Sequence, residues 1–258
     1  RGDMIGCMAW NTTRHLEIWY GVPGAGGILH SLNPRLSVEQ LTYVIDHADD
    51  QWIFVDHDIV PVLEKVAADL PKVKGYIVMT DRAHMPETSL PNAICYEDLL
   101  DAEDGAFSWI EGPEDDPCGV CFTSGTTGNP KGVVYSHRSN VLHALVMVQK
   151  DMLGLSATDT VMPVVPLFHA NGWLTGFAMP MVGSACVMPG RMLDPTSCYE
   201  MLDTGKVTVT AAVPSVWLPL LGHLRDQGLK LPYLDRVVIG GSACPRAVIE
   251  EFQNNYGV

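Results

Sequence analysis

Strand-like and helix-like patterns alternate along nearly the whole chain, and this alternation restricts the fold more than any other property of the sequence. Short apolar runs fall at 4–8, 52–55, 76–79, 119–122, 161–165, 185–188, 207–212 and 236–239. Amphipathic helical patterns fill several intervals between them. Ser37-Val38-Glu39-Gln40 is a capping box and predicts a helix to about His47. Asp194 and Pro195 supply a cap and a first-turn proline before 198–202, and Pro214 and Pro245 act similarly before 216–224 and 248–254. The order predicts an α/β chain of mostly parallel β-sheets flanked by helices, with ligands at the carboxyl ends of strands.

Two stretches test that reading. Residues 161–190 carry no Asp, Glu, Lys or Arg and are long enough to span a bilayer. Pro163, Pro166, Pro180 and Pro189, with Gly172, Gly176 and Gly183 between them, instead predict strand, loop, helix and strand in a globular core, and no transmembrane segment. The acidic interval 101–117 reads as a surface connection, where two subdomains could divide.

A net charge of −14 argues against a nucleic-acid partner, which needs a basic face. Seven cysteines, an odd number without small-scaffold density, indicate a reducing, cytoplasmic setting. Cys118 and Cys121 have the spacing of a redox or zinc pair. Residues three apart on a strand face opposite sides, however, and no second pair follows.

The strand pattern at 119–122 runs directly into Thr123-Ser124-Gly125-Thr126-Thr127-Gly128-Asn129-Pro130-Lys131-Gly132. Glycines let backbone N–H groups approach a ligand, hydroxyls donate to anionic oxygens, and Lys131 adds a mobile positive charge. This chemistry suits a polyphosphate. The order is not the Walker A order, because Pro130 precedes Lys131 and Gly132 follows it. A helix is predicted to begin near Ser136.

The same ten residues resemble the phosphate loop of the adenylate-forming enzymes: acyl-CoA synthetases, peptide-synthetase adenylation domains and luciferases. Pro166-Leu167-Phe168-His169-Ala170-Asn171-Gly172-Trp173 resembles that family's histidine motif, and Ile239-Gly240-Gly241-Ser242-Ala243-Cys244-Pro245 its adenine-holding glycine turn. The segments 10–15 and 31–36 point within the family to medium- or long-chain fatty-acid–CoA ligases and methylthioalkanoate–CoA ligases.

The resemblance implies an AMP-forming acid–thiol ligase using ATP, Mg²⁺ and coenzyme A on a carboxylic acid, in an enzyme that could be a homodimer. It implies that Ser124, Gly125, Thr126, Thr127, Gly128 and Lys131 hold ATP phosphates, with Thr123 also on Mg²⁺. His169 would orient the α-phosphate and carboxylate, and Gly240, Gly241 and Ser242 would neighbour adenine. Trp173, Val213 and Pro214 would line the acyl pocket, although their composition alone says only core. Residues 1–258 are expected to be part of the AMP-binding N-terminal domain, without the C-terminal lid domain and its lysine, and inactive alone. Aryl or amino-acid adenylation and a non-catalytic nucleotide-binding remnant stay open.

Overall fold

Alternation along β3 (Asp50–Asp56) shows how the larger sheet of this computed structural model is built. Ile53 and Val55 are fully buried on one face, whereas Trp52 and Phe54 face the other and are half-buried. The structure describes residues 1–123, 129–169, 172–173 and 175–258. Internal contacts divide it into two units, Arg1–Asn140 with Phe168–Asn171, and Val141–Leu167 with Gly172–Val258. The interval 101–117 lies wholly within the first unit.

The first unit has β1 (Met4–Met8), β2 (Ile28–Ser31), β3, β4 (Gly75–Met79), β5 (Ala93–Cys95), β6 (Pro117–Thr123) and β7 (Lys131–Ser136). They form one sheet in the order β5-β4-β3-β1-β2-β6-β7, parallel except for the antiparallel β6–β7 pair. Helices α1 (Thr13–Gly24), α2 (Val38–Ala48), α3 (Val60–Glu64) and α4 (Tyr96–Asp101) join the parallel strands. Leu41, Val44 and Ile45 of α2 and Leu63 of α3 share a buried cluster with Ile53, Val55 and Val78. The predicted capping box starts α2: Gln40 N donates to Ser37 Oγ at 3.2 Å and Ser37 N to Gln40 Oε1 at 3.4 Å.

The division between units falls inside α5 (His137–Met147). The second unit has β8 (Thr160–Pro163), α6 (Thr175–Val182), β9 (Ala185–Cys186), α7 (Pro195–Thr204), β10 (Val209–Ala212), α8 (Pro214–Gln227), β11 (Arg236–Ile239) and α9 (Arg246–Glu251). Its sheet is wholly parallel, in the order β11-β10-β8-β9. Asp194 caps α7 by accepting from Ser197 N at 3.1 Å, with Pro195 in the first turn. Among the described residues no helix is long and apolar enough to cross a membrane.

Three departures from the sequence reading matter. β8 stops at Pro163 instead of 165, because Val164 and Val165 both turn their N–H groups to the single carbonyl of Ala211, at 3.1 and 3.0 Å. β9 stops at Cys186 instead of 188. The chain from Lys131 forms β7 before any helix, so α5 begins at His137 and β7 pairs antiparallel with β6.

Candidate functional site

The hairpin sets the geometry of the first group of candidate residues. Thr123 ends β6, Lys131 starts β7, and the two are direct register partners. Opposed residues of an antiparallel pair share one face of the sheet. An exposed hydroxyl and an exposed ammonium therefore stand together at the hairpin mouth. Thr123 Oγ1 makes a long 3.4 Å bond to the Lys131 carbonyl, and Lys131 forms no ion pair among the described residues. Ser124, Gly125, Thr126, Thr127 and Gly128 lie outside the described residues.

His169 is exposed and follows the buried Phe168. With Thr123, Pro130 and Phe168 it borders a small cavity of about 60 Å³. Phe168 is fixed from two sides. The Trp10 ring meets it edge-on at 6.2 Å between centroids, and the Arg35 guanidinium lies over it at 5.7 Å. Trp10 is itself pinned, its backbone N donating to Asp56 Oδ2 at 2.8 Å and its Nε1 to Asp58 Oδ2 at 3.1 Å. Burial pushes the Asp56 carboxyl up to about 6, against the opposing bond from Trp10.

The same cavity is bordered by His30, Asn33 and Phe122, to which the sequence reading gave no role. The resemblance drew on residues 10–15 and 31–36, and the structure gives them work: Trp10 and Arg35 clamp Phe168, and Asn33 borders the cavity. Nothing in the sequence signalled His30 and Asp50, which meet only once β2 and β3 flank β1.

Cys118 and Cys121, both buried on β6, have separate neighbours. Cys118 Sγ accepts from Asn140 Nδ2 at 3.2 Å, and burial pushes its thiol up to about 11. A thiol so raised is a weak nucleophile near neutrality.

The second unit gathers the remaining candidates at the carboxyl ends of β10 and β11. Ala212 and Ile239 are register partners, and just beyond them Gly240 N donates to Ala212 O at 3.4 Å. Gly241 has φ +79, in the left-handed region, and a side-chain carbon there would stand 2.9 Å from Val213 Cγ1. Trp173, half-buried, has φ 53, unusual for a bulky residue. Its indole lies so close over Gly240 that a Cβ would stand 2.7 Å from the ring. Pro214 is buried in the first turn of α8, and Ser242 is exposed after the glycine turn. The structure thus brings Trp173 and Val213, read as acyl-pocket residues, against the glycines read as adenine neighbours. Ala170, Asn171 and Leu174 lie outside the described residues.

This contact is testable. Gly240→Ala is expected to cost about 1–3 kcal/mol, the usual penalty for overpacking. Urea unfolding of the chain measures it. In a Trp173→Ala background most of the penalty should vanish; equal costs in both backgrounds would separate Gly240 from the indole.

Mostly parallel sheets with an exposed hydroxyl–ammonium pair at one strand end and a side-chain-free turn at another define an α/β protein whose candidate groups stand at carboxyl strand ends. The profile of the AMP-binding enzyme family matches residues 1–258, and the chain belongs to that family. It is 44% identical over 256 residues to a medium-chain-fatty-acid–CoA ligase of Ectopseudomonas oleovorans, covering 99% of this chain and 47% of the relative. A 3-methylmercaptopropionyl-CoA ligase of Ruegeria lacuscaerulensis is 43% identical, with 99% and 48% covered. The chain therefore spans about half the length of the curated relatives it matches. An anthranilate CoA ligase solved with anthranoyl-AMP shares the fold at TM-score 0.88 and 20% identity, covering 100% of this chain and 49% of that one. The inhibitor-bound N-terminal domain of FACL13 from Mycobacterium tuberculosis does so at 0.80 and 21%, covering 99% and 61%. The α/β, mostly parallel architecture expected from the sequence is that of these N-terminal domains.

Proposed function

We propose that the chain is part of the N-terminal domain of an AMP-forming acid–thiol ligase acting on a fatty or methylthioalkanoic acid. The carboxylate oxygen attacks the α-phosphorus of ATP, and the bond to the bridging oxygen breaks as diphosphate departs. The thiol sulfur of coenzyme A then attacks the acyl carbon of the adenylate, its proton passing to solvent, and AMP leaves with the electrons of the broken C–O bond. Activation is needed because a free carboxylate is a poor electrophile.

The observation that carries this reading is the hairpin mouth. In a chain of net charge −14, Lys131 is an exposed cation with no ion pair among the described residues, directly opposite the Thr123 hydroxyl. Such a pair suits a polyanion whose charge grows as diphosphate departs. Ser124, Thr126 and Thr127 would add hydroxyl donors, and Gly125 and Gly128 backbone approach. Mg²⁺ bound beside Thr123 would neutralise part of the polyphosphate charge. His169, exposed beside the same cavity, would orient the α-phosphate and the acid. Gly240, Gly241 and Ser242 would contact adenine, and Trp173, Val213 and Pro214 the acyl chain. The identities of 43–44% to fatty-acid and 3-methylmercaptopropionyl ligases favour those acids over aryl or amino acids.

ATP–diphosphate exchange by the whole enzyme, across straight-chain, sulfur-containing, aryl and amino acids, tests the reading. Exchange should require a straight-chain or methylthio acid and yield AMP when coenzyme A is added. Exchange confined to aryl or amino acids overturns the substrate, and acid-independent release of ADP overturns the reaction.

A further inference from the structure

One buried pair remains unused by this chemistry. His30, on β2, and Asp50, on β3, have side chains 1% and 0% exposed, and His30 Nδ1 lies 2.8 Å from Asp50 Oδ2. Such burial needs a complete set of hydrogen bonds. Among the described residues His30 Nε2 and Asp50 Oδ1 nevertheless have no hydrogen-bond partner. Burial pushes the Asp50 carboxyl above its ordinary range, with His30 opposing that shift.

His30 borders the 60 Å³ cavity shared by Thr123, Pro130, Phe168 and His169. Its ring also rests on Phe122, 4.9 Å between centroids at 45°, one residue before Thr123. With Nδ1 committed to Asp50, Nε2 is the polar atom of the ring left without a bond among the described residues. A void of this size accommodates about one or two water molecules when polar groups line it. With Nδ1–H donating to the Asp50 carboxylate, Nε2 is an acceptor, and a water O–H completes it.

We propose that His30, oriented by Asp50, holds a buried water in this cavity and thereby acts as a positioning residue for the Phe122–Thr123 strand end that carries the phosphate loop. The role rests on the ligase reading above; the water site does not. With the water in place His30 keeps its ring against Phe122, and Thr123 keeps its register opposite Lys131. Without it the buried acceptor drives the ring or the strand end to rearrange.

The test uses the whole enzyme and three variants. His30→Gln extends an acceptor to the position of Nε2. His30→Asn retains the bond to Asp50 but withdraws the cavity acceptor, and His30→Phe fills the space with carbon. A crystal structure of the wild type should show an ordered water within about 3.2 Å of Nε2. That water should persist in His30→Gln and be missing from His30→Phe. In ATP–diphosphate exchange, His30→Asn and His30→Phe should raise KM for ATP about tenfold, as loss of one buried hydrogen bond predicts. KM for the acid should change far less, and His30→Gln should recover most of the loss.

An Nε2 lying against carbon, with no water, overturns the site. A water present, with KM for ATP equal in all four proteins or KM for both substrates rising together, overturns the positioning role. Wild-type enzyme with no acid-dependent exchange removes the ligase reading and the positioning role, while the crystallographic water still decides the site.

Discussion

Lys131→Ala in the whole enzyme is expected to slow acid-dependent ATP–diphosphate exchange by about 10²–10³, equivalent to roughly 3–4 kcal/mol of transition-state stabilisation. The size follows from the electrostatics of this chain. Its net charge of −14 repels a polyphosphate at long range, so attraction must be local. On the proposed reading Lys131 would provide it, its backbone set by strand register opposite Thr123. Its side chain is exposed, so truncation leaves no buried group unpaired and should barely alter stability. The loss should therefore appear in exchange rate and not in the unfolding midpoint. Lys131→Arg retains charge but replaces a compact ammonium with a planar fork, and should recover only part of the rate. Thr123→Val, removing the facing hydroxyl, should cost less, on the order of tenfold. Exchange unchanged in Lys131→Ala would remove the hairpin mouth from the phosphate site.

The parts of this protein legible in its sequence are those where local chemistry and tertiary context agree. The β6 run, buried from Cys118 to Cys121, shows as a strand because every residue there is apolar or glycine. Ser37 and Asp194 announce α2 and α7 because a cap needs only residues three positions apart. β7 was hidden behind the family-like loop: Lys131 and Gly132 read as loop chemistry, and the strand's outer residues are exposed on a sheet edge. β5 is three residues long, too short for any period to register. The candidate site divides the same way. Thr123, Lys131, Gly240 and Gly241 belong to contiguous motifs and could be nominated. His30 and Asp50, 20 residues apart, are joined only by strand order, as are Trp10 and Phe168. The pressing of Trp173 onto Gly240 required both strand ends in place. Motifs show in sequence; the groups that steady them do not.

Acidification should destabilise the 258-residue chain through His15 by about 3 kcal/mol between its ordinary pKa of 6.5 and its folded value of about 4. His15 is fully buried near the start of α1, where Thr12 caps the helix by accepting from His15 N at 3.2 Å. Its ring is satisfied only when neutral. Nδ1 lies 2.9 Å from the Trp10 carbonyl and so carries the proton, while Nε2 accepts from Trp19 Nε1 at 3.2 Å. A second proton would set two N–H groups against each other. Burial is the main cause of the lowered value, the Trp10 bond opposes it, and the positive end of α1 also disfavours a cation. A base whose folded pKa is lowered contributes its full stability above 6.5 and loses it as pH falls towards 4, with no further loss below. The effect is local in origin but reaches the candidate site, because the carbonyl partner is Trp10, whose ring fixes Phe168. His15→Gln provides a neutral donor and acceptor and should be less stable near neutrality, yet flatter across this interval. Urea unfolding of both proteins at several pH values measures the difference. If the two curves fall in parallel from neutrality to about pH 4, His15 is not the group being titrated and the burial cost assigned to its charged form is wrong.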